Sequence, residues 1–339
     1  MLCSSLTSPI EVNVQRKAPG RRWRARWRRA LFGIKPDEAS FERRGFTGAR
    51  PVTRECLERI GEVFIAGYGA ALDLDDLDEL VATLNQVDAE LRGFAFEGAA
   101  MALAIRDWVP VGGLSRSRRF LQKAESHTYM VHVGIGWAMA RLGKSERALA
   151  ELDPVLKWLA LDGYGFHEGY FRWSRYRGGT RPRGLSGYAL RAFDQGLGRS
   201  LWFVHGGDVE RIPAAIMALS PDRAGDLWSG VGLACAYAGG VTEQDLVLLR
   251  RAGEDAGRRA ELGQGAAFAA KARLRAGNPA THTELACQVL TDLCASDAAG
   301  VTDAELALAS GSADEPQYED WRRRIQGRFG GQERFNVAS

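Results

Sequence analysis

The segment DGYGFHEGYF at residues 162–171 holds the clearest pair of proton-transferring groups in the chain. His167 and Glu168 are adjacent there, and an imidazole beside a carboxylate suits general acid–base catalysis. We therefore predict His167 as the proton-handling group, with Glu168 and Asp194 as its catalytic neighbours. The alternative is that these are hydrogen-bonded structural groups between helices, since buried polar side chains often have that role.

Four of the five histidines lie between residues 127 and 205, in two successive segments of the chain. They are His127, His132, His167 and His205. If the corresponding helix N-termini lie along one edge of the molecule, these side chains converge on a shared cleft. The free backbone N–H groups at those termini would give the cleft a positive potential that attracts an anion. The residues predicted to contact a substrate are His132, His205, Glu97, Phe166 and Trp228.

Other kinds of site find little support in the sequence. The string HEGYF lacks the second histidine of a zinc-binding H-E-x-x-H motif. No G-x-S-x-G nucleophile elbow is present, and nothing indicates a flavin, pyridoxal phosphate or haem. We predict neither a metal site nor an organic cofactor.

The spacing of glycine residues indicates the helices that must position these side chains. G-x-G pairs begin at Gly67, Gly134, Gly196 and Gly263, and a second series has Gly98, Gly169 and Gly230 between them. Neighbouring members are 27 to 36 residues apart. This spacing predicts stacked helical hairpins with a repeat of about 35 residues, doubled to about 65, arranged as a TPR-like solenoid or as a closed helical bundle.

Apolar periodicity supports helices throughout. In LDELVATLNQVDAEL (77–91) the apolar residues form one stripe, and alternating strand-type runs are nearly absent. The predicted fold is all-α. Each G-x-G is expected to open a helix and to mark a close helix crossing, because glycine has no Cβ. The polar residue before each marker glycine is expected to cap a helix start.

The domain prediction has four parts: disordered residues 1–20, a basic amphipathic arm at 21–50, a helical-repeat domain at 51–310, and a C-terminal tail at 311–339 with a short helix at 319–329. In the arm, RRWRARWRRALFGI places Trp23, Trp27 and Leu31 on one helical face among arginines. Such a helix docks on an anionic membrane or an acidic partner. The alternative is an arm whose aromatics pack on the body.

Composition narrows the class of protein. Residues 1–29 carry eight basic residues and one acid, and the net charge is +3, so the remaining chain is near −4. A mildly acidic body has no broad basic face for nucleic acid. Five cysteines without CxxC favour a reducing compartment. No signal peptide or membrane span is predicted. We expect a cytoplasmic protein, with peripheral membrane contact through residues 21–31 as an addition.

Four strings together resemble a known bacterial family. They are RRALFGIKPDEASFERRGF (28–46), LDGYGFHEGYF (161–171), FDQGLGRSLWFVHGGDVERI (193–212) and DLWSGVGLACAYAGG (226–240). They are similar to the family catalogued as domain of unknown function 1702, over roughly residues 25–300. The resemblance implies no catalytic residue, because the family has no assigned activity.

Members of that family are associated with actinobacterial gene clusters that build enediyne polyketides. The resemblance therefore implies a protein that binds and processes a hydrophobic polyene or enediyne intermediate, in contact with other biosynthetic enzymes. An aromatic-rich helical body suits such an apolar ligand. The alternative is a non-catalytic scaffold or carrier that shields an intermediate or recruits partner enzymes.

Overall fold

A computed structural model describes residues 19–109, 112–312 and 314–330 of the chain. Residues 1–18, most of the segment predicted to be disordered, lie outside this part. Within the described ranges all regular structure is helical and no strand occurs. The all-α prediction is confirmed.

Sixteen α-helices are present in the described residues, numbered here in chain order. They are α1 (Pro19–Phe32), α2 (Phe41–Arg44), α3 (Pro51–Asp73), α4 (Leu77–Leu84), α5 (Arg92–Trp108), α6 (Ser115–Lys123), α7 (Thr128–Leu142), α8 (Lys157–Tyr176), α9 (Tyr188–Val204), α10 (Arg211–Met217), α11 (Ala224–Ala238), α12 (Glu243–Asp255), α13 (Arg259–Ala276), α14 (Thr281–Thr291), α15 (Ala295–Leu308) and α16 (Gln317–Phe329).

Seven of these helices form a row in which each packs against the next. The row is α3, α5, α7, α8, α9, α11 and α13, and the last three helices pack on α13. The row curves back on itself. Thr53 in α3 donates a hydrogen bond to the carbonyl of Gly240 beyond α11 at 2.6 Å, and the rings of Phe94 in α5 and Tyr237 in α11 lie 5.1 Å apart. These contacts favour the closed bundle over the open solenoid.

The G-x-G pairs are the points at which neighbouring helices cross. On α8, a Cβ added to Gly163 would lie 2.1 Å from the carbonyl oxygen of Val133 in α7, and one added to Gly165 would lie 2.0 Å from that of Phe193 in α9. Two residues on an α-helix turn about 200°, so the two glycines face opposite neighbours. The pairs on α7, α9 and α11 are used in the same way, at Gly134 and Gly136, Gly196 and Gly198, and Gly230 and Gly232.

The position of these glycines within their helices differs from the prediction. Gly134 and Gly136 lie in the interior of α7, and Gly196 and Gly198 lie in the interior of α9, not at a helix start. The polar residues before marker glycines are buried helix-interior residues and not caps, as Glu97 and Gln195 show.

The C-terminal helix belongs to the body and is not a separate tail. α16 packs against α13 and α15, and its Tyr318, Trp321 and Ile325 are buried. The side chain of Arg322 is fully buried and bonds to Asp226 of α11 at 2.7 Å. No helix in the described residues is long and apolar enough to cross a membrane.

Gly196→Ala should lower the free energy of unfolding by about 3 kcal/mol, the upper range for overpacking of a core. Its Cβ would lie 1.7 Å from the carbonyl oxygen of Asp162, so two helix backbones must separate. Urea unfolding measures the effect.

The matched control is Gly300→Ala, in the interior of α15, where nothing lies within 4 Å of an added Cβ. Alanine there should stabilise by about 1 kcal/mol through helix propensity. Equal effects of the two substitutions would show that the crossing tolerates a side chain.

Candidate functional site

The predicted His–Glu pair is buried in α8. His167 Nδ1 lies 3.3 Å from Glu168 Oε1, and Glu168 also accepts hydrogen bonds from the Tyr176 hydroxyl at 2.6 Å and from Arg172 at 3.0 Å. Burial alone would raise the pKa of Glu168, but the hydrogen bonds from His167 and Tyr176 hold it below its ordinary value. A carboxylate with this many donors is a satisfied structural group.

The structure does not join Asp194 to this pair. The carboxylate of Asp194 is held by both Nε and a terminal nitrogen of Arg223, at 3.0 and 2.5 Å. His132 is fixed elsewhere, since its Nδ1 lies 2.7 Å from the carbonyl oxygen of Thr128 one turn earlier in α7. Asp194 and His132 therefore each have their own structural partner, apart from the pair of His167 and Glu168.

The remaining predicted residues also have separate surroundings. His205 ends α9 with its ring 6.0 Å from that of Trp173. His127 stacks on Phe96 at 4.1 Å, and Trp228 is buried in α11. Burial lowers the pKa values of His127, His132, His167 and His205 below their usual range. These imidazoles are therefore uncharged at neutral pH.

Glu97 and Phe166, both predicted to contact a substrate, do lie together. They line a pocket of about 460 Å³, a volume that includes its opening to solvent. This first pocket is bounded by α3, α5, α7, α8 and α9, and by the segment after α1. Its aromatic walls include Phe64, Phe94, Trp137, Tyr170, Phe171 and Phe203. Such a lining suits an apolar molecule.

Glu97 is the exceptional group in this pocket. It is 1% exposed, and neither carboxylate oxygen has a hydrogen bond in the described part of the chain. Burial raises its pKa to about 7, a shift that nearby Arg199 opposes and nearby Asp162 reinforces. The indole N–H of Trp137 is close enough to lower this pKa slightly but forms no regular hydrogen bond.

A buried polar layer lies next to Glu97. Arg199 forms an ion pair with Asp162, and the amide nitrogen of Gln195 donates to the same carboxylate at 2.9 Å. The guanidinium of Arg199 also lies 4.7 Å from the ring centroid of Phe166. Arg199 Nε and Gln195 Oε1 are buried without partners in the described residues. Several buried polar atoms without hydrogen bonds lie in this one region, which indicates bound water or the polar group of a ligand.

Sequence reasoning missed Trp137, Asp162 and Arg199, although a signal existed. The residue before each G-x-G and the residue after it are four positions apart, so they share one helical face. The two glycines lie on the sides of the helix that contact its neighbours. The face shared by the other two residues is therefore directed toward the interior. Pocket residues occur at these positions in several helices: Val133 and Trp137, Asp162 and Phe166, Arg199, and Leu233.

The family model described as protein of unknown function (DUF1702) matches residues 23–329. The chain belongs to the DUF1702 family. No curated protein and no solved structure matches it. Among the described residues of this DUF1702 protein, no three His, Cys, Asp or Glu side chains are grouped so that they could hold a metal ion.

Glu97→Gln should stabilise the DUF1702 protein in a pH-dependent way. The carboxyl pKa is about 7 when folded and 4.5 as its ordinary value, so ionisation of Glu97 destabilises the fold increasingly between these two pH values. Above pH 7 the cost reaches about 3 kcal/mol. Glutamine cannot ionise and removes this cost.

Urea unfolding of both proteins across this range provides the measurement. The stability difference between Glu97→Gln and wild type should grow as pH rises from 4.5 to 7. Subtracting the two curves cancels the opposite contribution of the buried histidines, whose lowered pKa values favour folding as pH rises. A difference that stays constant with pH would contradict the assignment.

Proposed function

We propose that this DUF1702 protein takes part in enediyne natural-product biosynthesis by binding a hydrophobic polyene or enediyne-core intermediate in the first pocket. In this proposal Glu97 transfers protons to and from the bound molecule. The observation that carries the proposal is a buried carboxyl group without a hydrogen-bond partner among the described residues, in an aromatic-walled pocket. The link to enediynes rests on the family's association with those gene clusters.

The chemistry open to Glu97 follows from its pKa. A carboxyl group with a pKa of about 7 is present in both protonation states at neutral pH, so it can act as acid or as base. On a conjugated chain, the acid form gives its proton to one carbon and the carboxylate then removes a proton from another. This step moves double bonds without any net oxidation or reduction, and it restores the carboxyl group.

Glu97 replaces His167 as the proposed proton-transferring residue. Both carboxylate oxygens of Glu168 and of Asp194 already accept hydrogen bonds, whereas Glu97 forms no regular hydrogen bond among the described residues. The competing proposal is a carrier or scaffold that shields the intermediate, or presents it to partner enzymes, without changing it. The same pocket would serve both roles, and only turnover separates them.

Gene replacement in the strain that encodes this protein tests the proposal. Deletion should cause a polyene or enediyne-related intermediate to accumulate and the final product to disappear. Glu97→Gln should reproduce the deletion, because glutamine keeps the shape but cannot transfer a proton. His167→Ala is the matched control and should restore the product if its protein is folded.

The outcomes are separable by metabolite analysis. If the Glu97→Gln strain makes the final product, Glu97 has no catalytic role and the proposal of a non-catalytic carrier remains. An unchanged metabolite profile in the deletion strain would contradict any function in polyketide biosynthesis.

We also propose that α1 contacts an anionic membrane surface. Arg29 forms a two-point ion pair with Asp73 at the end of α3, at 2.8 and 2.7 Å, which fixes the helix on the body. The opposite face exposes Trp23 at 62% and Trp27 at 54%, together with Leu31. Exposed tryptophans on a basic helix favour the interface of an anionic bilayer.

Sedimentation with vesicles tests this second proposal. The protein should bind phosphatidylglycerol-containing vesicles more strongly than pure phosphatidylcholine vesicles, and Trp23→Ala with Trp27→Ala should reduce that binding about tenfold or more. Met217→Ala, at a residue 75% exposed on α10, is the matched control and should have no effect. Equal binding by the double variant and the control would contradict the proposal.

A further inference from the structure

A second pocket of about 470 Å³, including its opening, lies between α7, α8, α9, α11, α13 and α16. Its walls are mostly apolar and include Met130, Val133, Leu159, Leu233, Phe268 and Trp321. Three charged side chains also line it, Asp162, Arg199 and Lys271. Neither the predicted catalytic residues nor Glu97 belongs to this pocket.

The two pockets are separated by one helical turn. On each of three helices, a residue lining the second pocket is followed four positions later by a residue lining the first. The pairs are Val133 and Trp137 on α7, Asp162 and Phe166 on α8, and Arg199 and Phe203 on α9. Residues four apart are neighbours on a helix surface, so the pockets are adjacent but have different walls.

Arg199 gives the second pocket a specific polar group. Its side chain is 3% exposed, one terminal nitrogen is paired with Asp162, and its Nε–H has no partner in the described residues. A buried donor without an acceptor destabilises the folded protein. A ligand oxygen that accepts from Arg199 would recover that cost.

The charge around Arg199 selects the kind of acceptor. Asp162 already neutralises the guanidinium, and Glu97 lies near enough to interact with both groups. A ligand carboxylate would add another negative charge in a low-dielectric interior, and no cation among the described lining residues is free to balance it. Lys271 also lines this pocket, but its ammonium is paired with Asp303 at 2.5 Å.

We infer that the second pocket binds an apolar molecule that carries an uncharged carbonyl oxygen, as in a ketone, ester or thioester, with Arg199 as the donor. The inference goes beyond the proposed function, because it requires no chemistry at Glu97 and no enediyne. The protein then has two adjacent sites for apolar molecules, and the two sites prefer different polar groups on the ligand.

Fluorescent polyenes test the inference directly. The probes are methyl parinarate, an uncharged ester, and parinaric acid, which is ionised at about pH 8. Ile34→Trp fills the edge of the first pocket and Ala272→Trp fills the edge of the second, and both residues are partly exposed. Each substitution therefore obstructs one pocket with little strain on the core.

In the Ile34→Trp protein, methyl parinarate should bind and parinaric acid should bind at least about tenfold more weakly. Addition of Ala272→Trp should abolish binding of the ester. Arg199→Lys in the Ile34→Trp background keeps a cation for Asp162 but loses the Nε donor, so it should weaken ester binding about tenfold. Binding of diphenylhexatriene, a hydrocarbon without an acceptor, should not change.

Ester binding that survives Ala272→Trp would overturn the second site, and tighter binding of the acid would overturn its preference for an uncharged oxygen. Absence of ester binding to the Ile34→Trp protein would also overturn the site. The proposed role of the first pocket is judged separately, from probe binding to the Ala272→Trp protein and from the Glu97→Gln strain.

Discussion

Direct backbone contact between neighbouring helices is the constraint on which this architecture depends. At the crossings of α8, added Cβ atoms would lie about 2 Å from the carbonyl oxygens of the flanking helices, so only glycine is compatible with the observed spacing. Each such glycine costs about 1 kcal/mol of helix propensity. Dispersion attraction between the closely packed backbones offsets that cost, and the same pairing recurs from α7 to α11.

The close crossings also determine what the interior contains. With both flanks of a helix occupied by neighbours, the residues on either side of each G-x-G face inward, where they form the pockets and the polar layer. Large aromatic residues at some of these positions leave voids between them, and Asp162 and Arg199 at others leave charged groups in the core. Polar atoms without partners reduce stability, which is the usual sign of a functional site rather than of a purely structural core.

Much of the fold could be predicted from the spacing of glycines, because each crossing requires its glycine in every helix. Two features of the prediction failed for physical reasons. The pairs were expected at helix starts, yet they lie inside helices and contact the backbones of two different neighbours, as Gly134 and Gly136 do in α7 and Gly196 and Gly198 in α9. The contacts that close the bundle, from α3 to the segment after α11 and from α5 to α11, depend on residues far apart in sequence, for which periodicity gives no information.

The candidate site was less accessible to sequence reasoning. The pair His167 and Glu168 is conspicuous because the two residues are adjacent, but adjacency says nothing about their partners Tyr176 and Arg172. Glu97 was predicted to contact a substrate but not to transfer protons, because that role depends on what surrounds it. The absence of a regular hydrogen bond to its carboxylate among the described residues is a property of packing among several helices.

The protonation of Glu97 is the property on which the site depends most directly. Carbon-13 NMR of protein labelled at glutamate side-chain carboxyls can follow each group through a pH titration, with the Glu97→Gln protein identifying the signal. We predict one glutamate that remains protonated well above pH 4.5 and titrates near pH 7, in line with its pKa of about 7. If the Glu97 signal titrates at or below its ordinary pKa of 4.5, the carboxylate has donors that stabilise its charge and the proposed proton transfer is contradicted.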